Sequence, residues 1–198
     1  MTTLRAGALA ICAVAATACG GAATSGGLTG PATHYLLTLD QLVTPDFAVY
    51  EAAHSVDADA LAQGDAAEAS RLRNAGLRSA ARVRFSRTAD FATVNGPVDI
   101  TCTVALFSDA QGAHTIFTAD VQSLDAASGA APVSTGPLGD EAHADSIVRQ
   151  TPNGLQAVQI TLVWRRDNAV NLLVLRGRYG GTRLDDALIL AHRISDRE

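Results

Sequence analysis

The stretch from 155 to 177 constrains the fold more than any other part of the chain. Two apolar runs, 155–166 and 169–177, flank the dipeptide Asp167-Asn168. A two-residue loop between such runs makes a β-hairpin and fixes its register. Trp164 then falls opposite Asn171, Leu162 opposite Leu173, and Ile160 opposite Leu175. On the reverse face Val163 meets Leu172 and Thr161 meets Val174. Both faces are apolar, so the sheet that contains this hairpin must be covered on both sides, by helices or by a partner.

The rest of the chain supplies the covers. Residues 57–75 read as a helix capped by Asp57, with Ala58, Leu61, Ala62, Ala66, Ala69 and Leu72 in one stripe and Gly76 after its end. Residues 77–87 read as a strand that carries Arg82 and Arg84 on one face, either an anion site or a solvated surface. Asn95-Gly96 is a turn, and 98–107 alternates as a strand with Cys102 on its apolar side. Ser108-Asp109-Ala110-Gln111 is a capping box for a helix to about Leu124, with Ala110, Ala113, Phe117, Val121 and Leu124 inward. Residues 125–137 are a Gly/Ala/Ser/Pro loop, 143–151 a strand, and Asn153-Gly154 a tight turn. Thr182-Arg183-Leu184-Asp185 caps a closing helix with Leu184, Ala187, Leu188, Ala191 and Ile194 inward and Arg193 and Arg197 at its negative end. Order begins near 34–39, and 40–53, broken by Pro45, reads as irregular. The expectation is a single α+β domain with an antiparallel sheet covered by helices, about five or six strands and three helices.

Residues 1–18 have a different character. Arg5 precedes an uncharged, mostly apolar run from 6 to 16, and small residues follow, as in a secretory signal peptide. The run is too short to cross a bilayer, which takes about 20 apolar residues. Ala16-Thr17-Ala18-Cys19 resembles the lipobox of bacterial lipoproteins. The resemblance implies diacylglyceryl modification of Cys19, cleavage before it, and acylation, for instance by palmitate, of the new amino end. That would hold the protein at the cell membrane, facing outside the cytoplasm. The alternative is an ordinary signal cut near Ala18, with Cys19 a spare thiol. Residues 19–33, rich in Gly, Ala, Ser and Thr, read as a flexible tether and 34–198 as the domain.

Charge and cysteines narrow the partners. All 15 basic residues are arginine, and loss of Arg5 leaves 14 against 20 acidic residues. An acidic, evenly mixed surface without a basic block argues against nucleic acid. Cys12 belongs to the signal and Cys19 to the anchor, so Cys102 stands alone and reads as a buried small hydrophobe.

Signals for catalysis are sparse. None of the five histidines, His34, His54, His114, His143 and His192, has the spacing of a helical metal pair. There is no Cys pair for zinc, no Gly-x-Ser-x-Gly, no P-loop and no Gly-x-Gly-x-x-Gly. His143 and Asp145 share a strand face with Glu141 just before, the best metal or acid/base grouping, against the plain reading of a polar edge strand. The segment from Arg178 to Arg183 offers two guanidiniums beside a helix N-terminus, or simply a loop that turns into its helix. Trp164 would line a pocket or sit in the core. No cofactor and no metal are expected.

Three pieces near the C-terminus carry a further resemblance: Gly139-Asp140-Glu141-Ala142, then Val163-Trp164-Arg165-Arg166-Asp167-Asn168-Ala169-Val170, then Leu190-Ala191-His192-Arg193-Ile194. They resemble small secreted or lipid-anchored bacterial domains, among them actinobacterial lipoproteins of Mog1/PsbP-like fold and the extracellular sensor domains of some receptor kinases. The kinase sensors carry disulfides, which this domain cannot form internally. The resemblance implies a non-catalytic module that binds an unknown ligand or protein of the cell envelope. From the residues themselves, Arg178, Arg183 and Trp164 are the candidate contacts. The alternatives are a lipid or glycolipid carrier with an apolar cavity and, on His143, Asp145 and Glu141, an envelope hydrolase.

Overall fold

The computed structural model describes residues 27–198; the signal, Cys19 and most of the tether lie outside the described residues. Seven strands form one antiparallel sheet: β1 (Ala48–Val56), β2 (Leu77–Ser86), β3 (Pro97–Phe107), β4 (Ala130–Val133), β5 (Glu141–Gln150), β6 (Gln156–Arg166) and β7 (Ala169–Arg178). Their order across the sheet is β1-β2-β3-β7-β6-β5-β4. The helices are α1 (Ala58–Leu61), α2 (Ala66–Asn74), α3 (Ala110–Asp125) and α4 (Leu184–Ser195), with two 3-10 turns at Ala32–Tyr35 and Leu39–Gln41. The result is a single α+β domain with more strands than the expected five or six.

The β6–β7 hairpin has the register its two-residue turn dictates, and all five expected cross-strand pairs form. It is covered on both faces. Trp164, Leu162, Leu173 and Leu175 join Ile100, Cys102 and Val104 under α4 and the segment that carries Leu36, Leu37 and Leu42. On the other side Val163, Val170, Ala105 and Phe107 pack against Ala69, Leu72, Ala113 and Ile116 of α2 and α3. Two apolar layers therefore flank one central sheet. Cys102 is sealed in the first, where burial pushes its thiol up to about 12 and leaves it an inert hydrophobe.

The N-terminal segment is sewn to this body by polar side chains. Leu28 already docks: its N–H donates to Asn168 Oδ1 at 2.7 Å, and Asn168 Nδ2 donates back to Leu28 O at 3.2 Å and to Phe107 O at 2.8 Å. Arg197 donates to Tyr35 O and Leu36 O, and Arg193 to Gln41 O. The two arginines expected to neutralise the end of α4 thus also strap down residues 35–41.

Several local expectations are corrected. The stripe over 57–75 is not one helix. Gln63 (φ 51°) and Gly64 (φ 90°) take left-handed backbone, which ends α1. Asp65 then caps α2 by accepting from Ala67 N and Glu68 N, while Asp57 caps α1 as expected through Ala60 N. Apolar spacing alone cannot register a turn and second cap inserted in phase. The cap of α3 is Asp109, which accepts from Gly112 N, whereas Ser108 Oγ donates to Gly76 O. On the inner face of α3, Ile116 is buried and Ala110 exposed. At α4, Arg183 occupies the cap position, its N–H held by Asp186; the Thr182 hydroxyl instead donates to Gly96 O. The β5–β6 loop around Asn153-Gly154 spans 151–155, since Gln150 pairs with Gln156.

The two strands not foreseen are mainly the edges. β1 was hidden because its apolar residues point outward, with Val49 50% and Tyr50 68% exposed. Its pairing with β2 is interrupted twice by register shifts, which blunts the edge. β4 holds Pro132, a residue tolerated in a sheet at such an edge.

Gly139 sets where β5 starts. Its φ is 60°, and a Cβ there would run into the Arg165 carbonyl oxygen. Next to it Asp140 N donates to that same oxygen at 2.8 Å. Gly139→Ala is expected to destabilise the domain by about 2 kcal/mol through strain and overpacking, read as a lower urea midpoint at unchanged slope.

Candidate functional site

The grouping foreseen on β5 is partly assembled. Glu141, His143 and Asp145 alternate onto the face that α3 covers, but Glu141 turns elsewhere. Its Oε2 accepts from Arg165 Nε at 2.9 Å and lies 2.9 Å from His114 Nδ1. Burial raises the Glu141 carboxyl, but His114 and Arg165 outweigh it and leave it below the usual range. His143 and Asp145 do meet: Nε2 is 3.1 Å from Oδ2. A third group joins them that no sequence spacing announced. Asp125, the last residue of α3, places Oδ1 3.2 Å from the same His143 nitrogen.

The three residues proposed as ligand contacts do not converge. Trp164 is 0% exposed, in the core beneath α4. Its Nε1 has no hydrogen-bond partner. It lies near Glu198, whose carboxyl is pushed up by burial and pulled back by Asn171, Arg166 and Trp164. Arg178 braces the β2–β3 loop, with Nε donating to Val94 O at 3.1 Å. Arg183 is exposed at the start of α4. Trp164 pairs with Asn171 and Ala157 with Arg178. Trp164 and Arg178 are therefore separated by about seven strand residues, roughly 23 Å at 3.3 Å per residue. The arginines on β2 are also committed. Arg84 pairs with Asp99 at 2.7 Å and lies over the Tyr50 ring, and Arg82 donates to Thr103 at 3.3 Å.

A pocket forms elsewhere, because the sheet is wider than the helices that cover it. The α1–α2 corner and the C-terminal half of α3 stand apart over β2, β3 and β7 and leave an open pocket of about 330 Å³. Its floor is mostly apolar, with Ala105, Val170 and Leu172 beside Thr103; its rim carries Asp65, Glu68 and Arg82. The corner exists because of the Gln63-Gly64 break, so the feature that hid α2 also opens the site. Asp120 reaches in from α3. Burial, then the negative charge of Glu68, raises its carboxyl to about 7, with Arg71 acting in the opposite direction. Arg71 is itself bridged to Glu68 at 2.8 Å. A carboxyl that titrates near neutrality, beside a second acid and over an apolar floor, can donate a hydrogen bond when protonated and hold a cation when ionised. Helical spacing sets Asp120 on the inward stripe, three residues after Phe117 and four before Leu124, so a lone acid on an apolar face was the signal that could have found it.

No family model matches the chain, and no curated protein sequence matches it. Among solved structures, it is similar to the crystal structure of the extracellular domain of PknH from Mycobacterium tuberculosis, at 13% identity over 80% of this chain and 92% of that chain, with a TM-score of 0.46.

Proposed function

We propose that this chain is a lipid-anchored lipoprotein whose domain acts outside the cytoplasm as a non-catalytic binding module. Its ligand is a small, partly apolar molecule with a cationic or hydroxyl group, held in the pocket around Asp120. The observation that carries the ligand reading is a carboxyl kept near its titration point in an open, apolar-floored pocket. The pocket falls in the size range of small-molecule sites, about 300–1,000 Å³. Support for the anchor is Ala16-Thr17-Ala18-Cys19 behind a signal-like run. The carrier reading is weaker, because the hairpin residues that would line a lipid chamber are packed under α4. The hydrolase reading loses one of its three groups, since Glu141 is drawn to Arg165 and His114.

The test is intact and native mass spectrometry of the full protein recovered from membranes, for wild type, Cys19→Ala and Asp120→Ala. The wild type is expected to start at Cys19 with added acyl mass, and Cys19→Ala to stay uncleaved or be released. A co-purifying small molecule is expected on the wild type and to be depleted roughly tenfold on Asp120→Ala, the worth of one charged hydrogen bond. A wild type released without lipid would sink the anchor. A bound species retained by Asp120→Ala would remove the ligand site from this pocket.

A further inference from the structure

The meeting of α3 with β5 concentrates negative charge. A helix ends in partial negative charge, which basic residues usually answer. The last turn of α3 holds no basic residue, and its final residue, Asp125, adds a carboxylate. Facing it is Asp145, whose side chain is 1% exposed. Asp145 Oδ2 contacts His143, and Oδ1 of the same carboxylate is buried with no hydrogen-bond partner. A buried carboxylate with an unpartnered oxygen is costly unless a cation or donor completes it. Between the two acids lies a single imidazole nitrogen, His143 Nε2, 3.2 Å from Asp125 Oδ1 and 3.1 Å from Asp145 Oδ2.

We propose that Asp125, His143 and Asp145 bind one divalent transition-metal ion of the zinc class. Ligand atoms of the three side chains all lie within 4.8 Å of one another. Donors about 2.0–2.1 Å from a tetrahedral ion sit about 3.3 Å apart, so the two His143 separations need little adjustment. One imidazole with two carboxylates suits Zn²⁺, Co²⁺ or Mn²⁺, whereas sites for Ca²⁺ and Mg²⁺ are built from oxygen alone. The ion takes the place of the direct contacts between His143 Nε2 and the two acids and neutralises the end of α3. Asp145 Oδ1 remains free to bind it bidentately or to hold its water. Three protein ligands leave a coordination position open. Asp125, with 55% of its side chain exposed, stands at the solvent side and gives the ion a way in. Metal would thus tie the last residue of α3 to the centre of β5. The site is separate from the Asp120 pocket and does not depend on the ligand reading.

The test uses the full chain, stripped of metal with a chelator, and Zn²⁺ or Co²⁺ alone as the probe. Competition against a chromogenic chelator is expected to show one equivalent of Zn²⁺ bound. Asp125→Asn should weaken that binding at least about tenfold and Asp145→Asn about a hundredfold. At a Zn²⁺ concentration just above the wild type's dissociation constant, the melting temperature should rise for the wild type and clearly less for either variant. Bound Co²⁺ should show visible d–d bands without the near-ultraviolet thiolate bands that Cys19 or Cys102 would give. Asp125 is a surface side chain, so its variant keeps the test valid if Asp145→Asn fails to fold. No saturable uptake, uptake unchanged by Asp125→Asn, or a thiolate spectrum would each overturn the proposal.

Discussion

Trp164→Ala is expected to cost the domain about 3–5 kcal/mol, as removal of a large buried aromatic does. Trp164 is among the largest fully buried side chains and sits where β6 faces α4. It is enclosed by Leu162, Leu173 and Leu190 in the same buried cluster. For a domain of this size each kcal/mol moves the melting point by about 2–4 °C, so a fall of roughly 10 °C should be seen by calorimetry. Trp164→Phe should cost less, because an aromatic ring still fills most of the buried space. If Trp164 instead lined a ligand site, the alanine variant would lose binding and keep its stability. A melting point within a degree or two of wild type would remove Trp164 from the core.

Asp120→Asn is expected to change the pH profile of stability rather than shift it uniformly. In the folded chain the Asp120 carboxyl titrates near 7, against 3.8 in the absence of the fold. Between those values the native state keeps a proton that the unfolded chain has released. Stability must therefore fall as pH rises from about 4 to about 7, and level off above. Three units correspond to about 4 kcal/mol at 1.36 kcal/mol per unit; partial solvent access brings the expected loss nearer 2 kcal/mol. The asparagine variant carries no titrating group there. It should match the wild type near pH 4 and exceed it by about 2 kcal/mol at pH 8, read from urea midpoints across that range. Profiles that run parallel would assign the pocket no buried carboxyl. A cationic ligand would flatten the wild-type profile by stabilising the ionised form, which links this measurement to the proposed pocket.

The parts of this fold that were legible in the sequence share one property: each had a strong local pattern that agreed with its tertiary setting. The hairpin around Asp167-Asn168 was readable to the residue, because a two-residue turn and two apolar faces admit one register. β2 and β3 followed from alternation, and α4 from its stripe. The failures came where local and tertiary signals part. β1 carries Val49 and Tyr50 outward on an edge, so its apolar residues mark no core face. β4 is short and built from loop-like residues, and only its pairing with β5 makes it a strand. The α1–α2 break was masked because Gly64 and Asp65 interrupt the helix without spoiling the apolar spacing. For the sites the limit was distance along the chain. His143 and Asp145 share a strand and were readable together, but Asp125 reaches them from the end of α3. Asp120 and Glu68 influence each other only because two helices, separate in sequence, border one pocket.

Asn168 has a mechanical consequence. Its buried side chain holds both backbone polar groups of Leu28 and at the same time the Phe107 carbonyl. In the lipid-anchored arrangement proposed above, any tension between the membrane and the domain runs along the tether and, among the described residues, meets this amide first. The load would then arrive at the tip of the β6–β7 hairpin, where the contacts open one after another. Next in line are the carbonyls of Tyr35 and Leu36, clasped by Arg197. The segment before β1 would therefore peel away in steps while the seven strands stay paired, a sacrificial strap that spares the sheet.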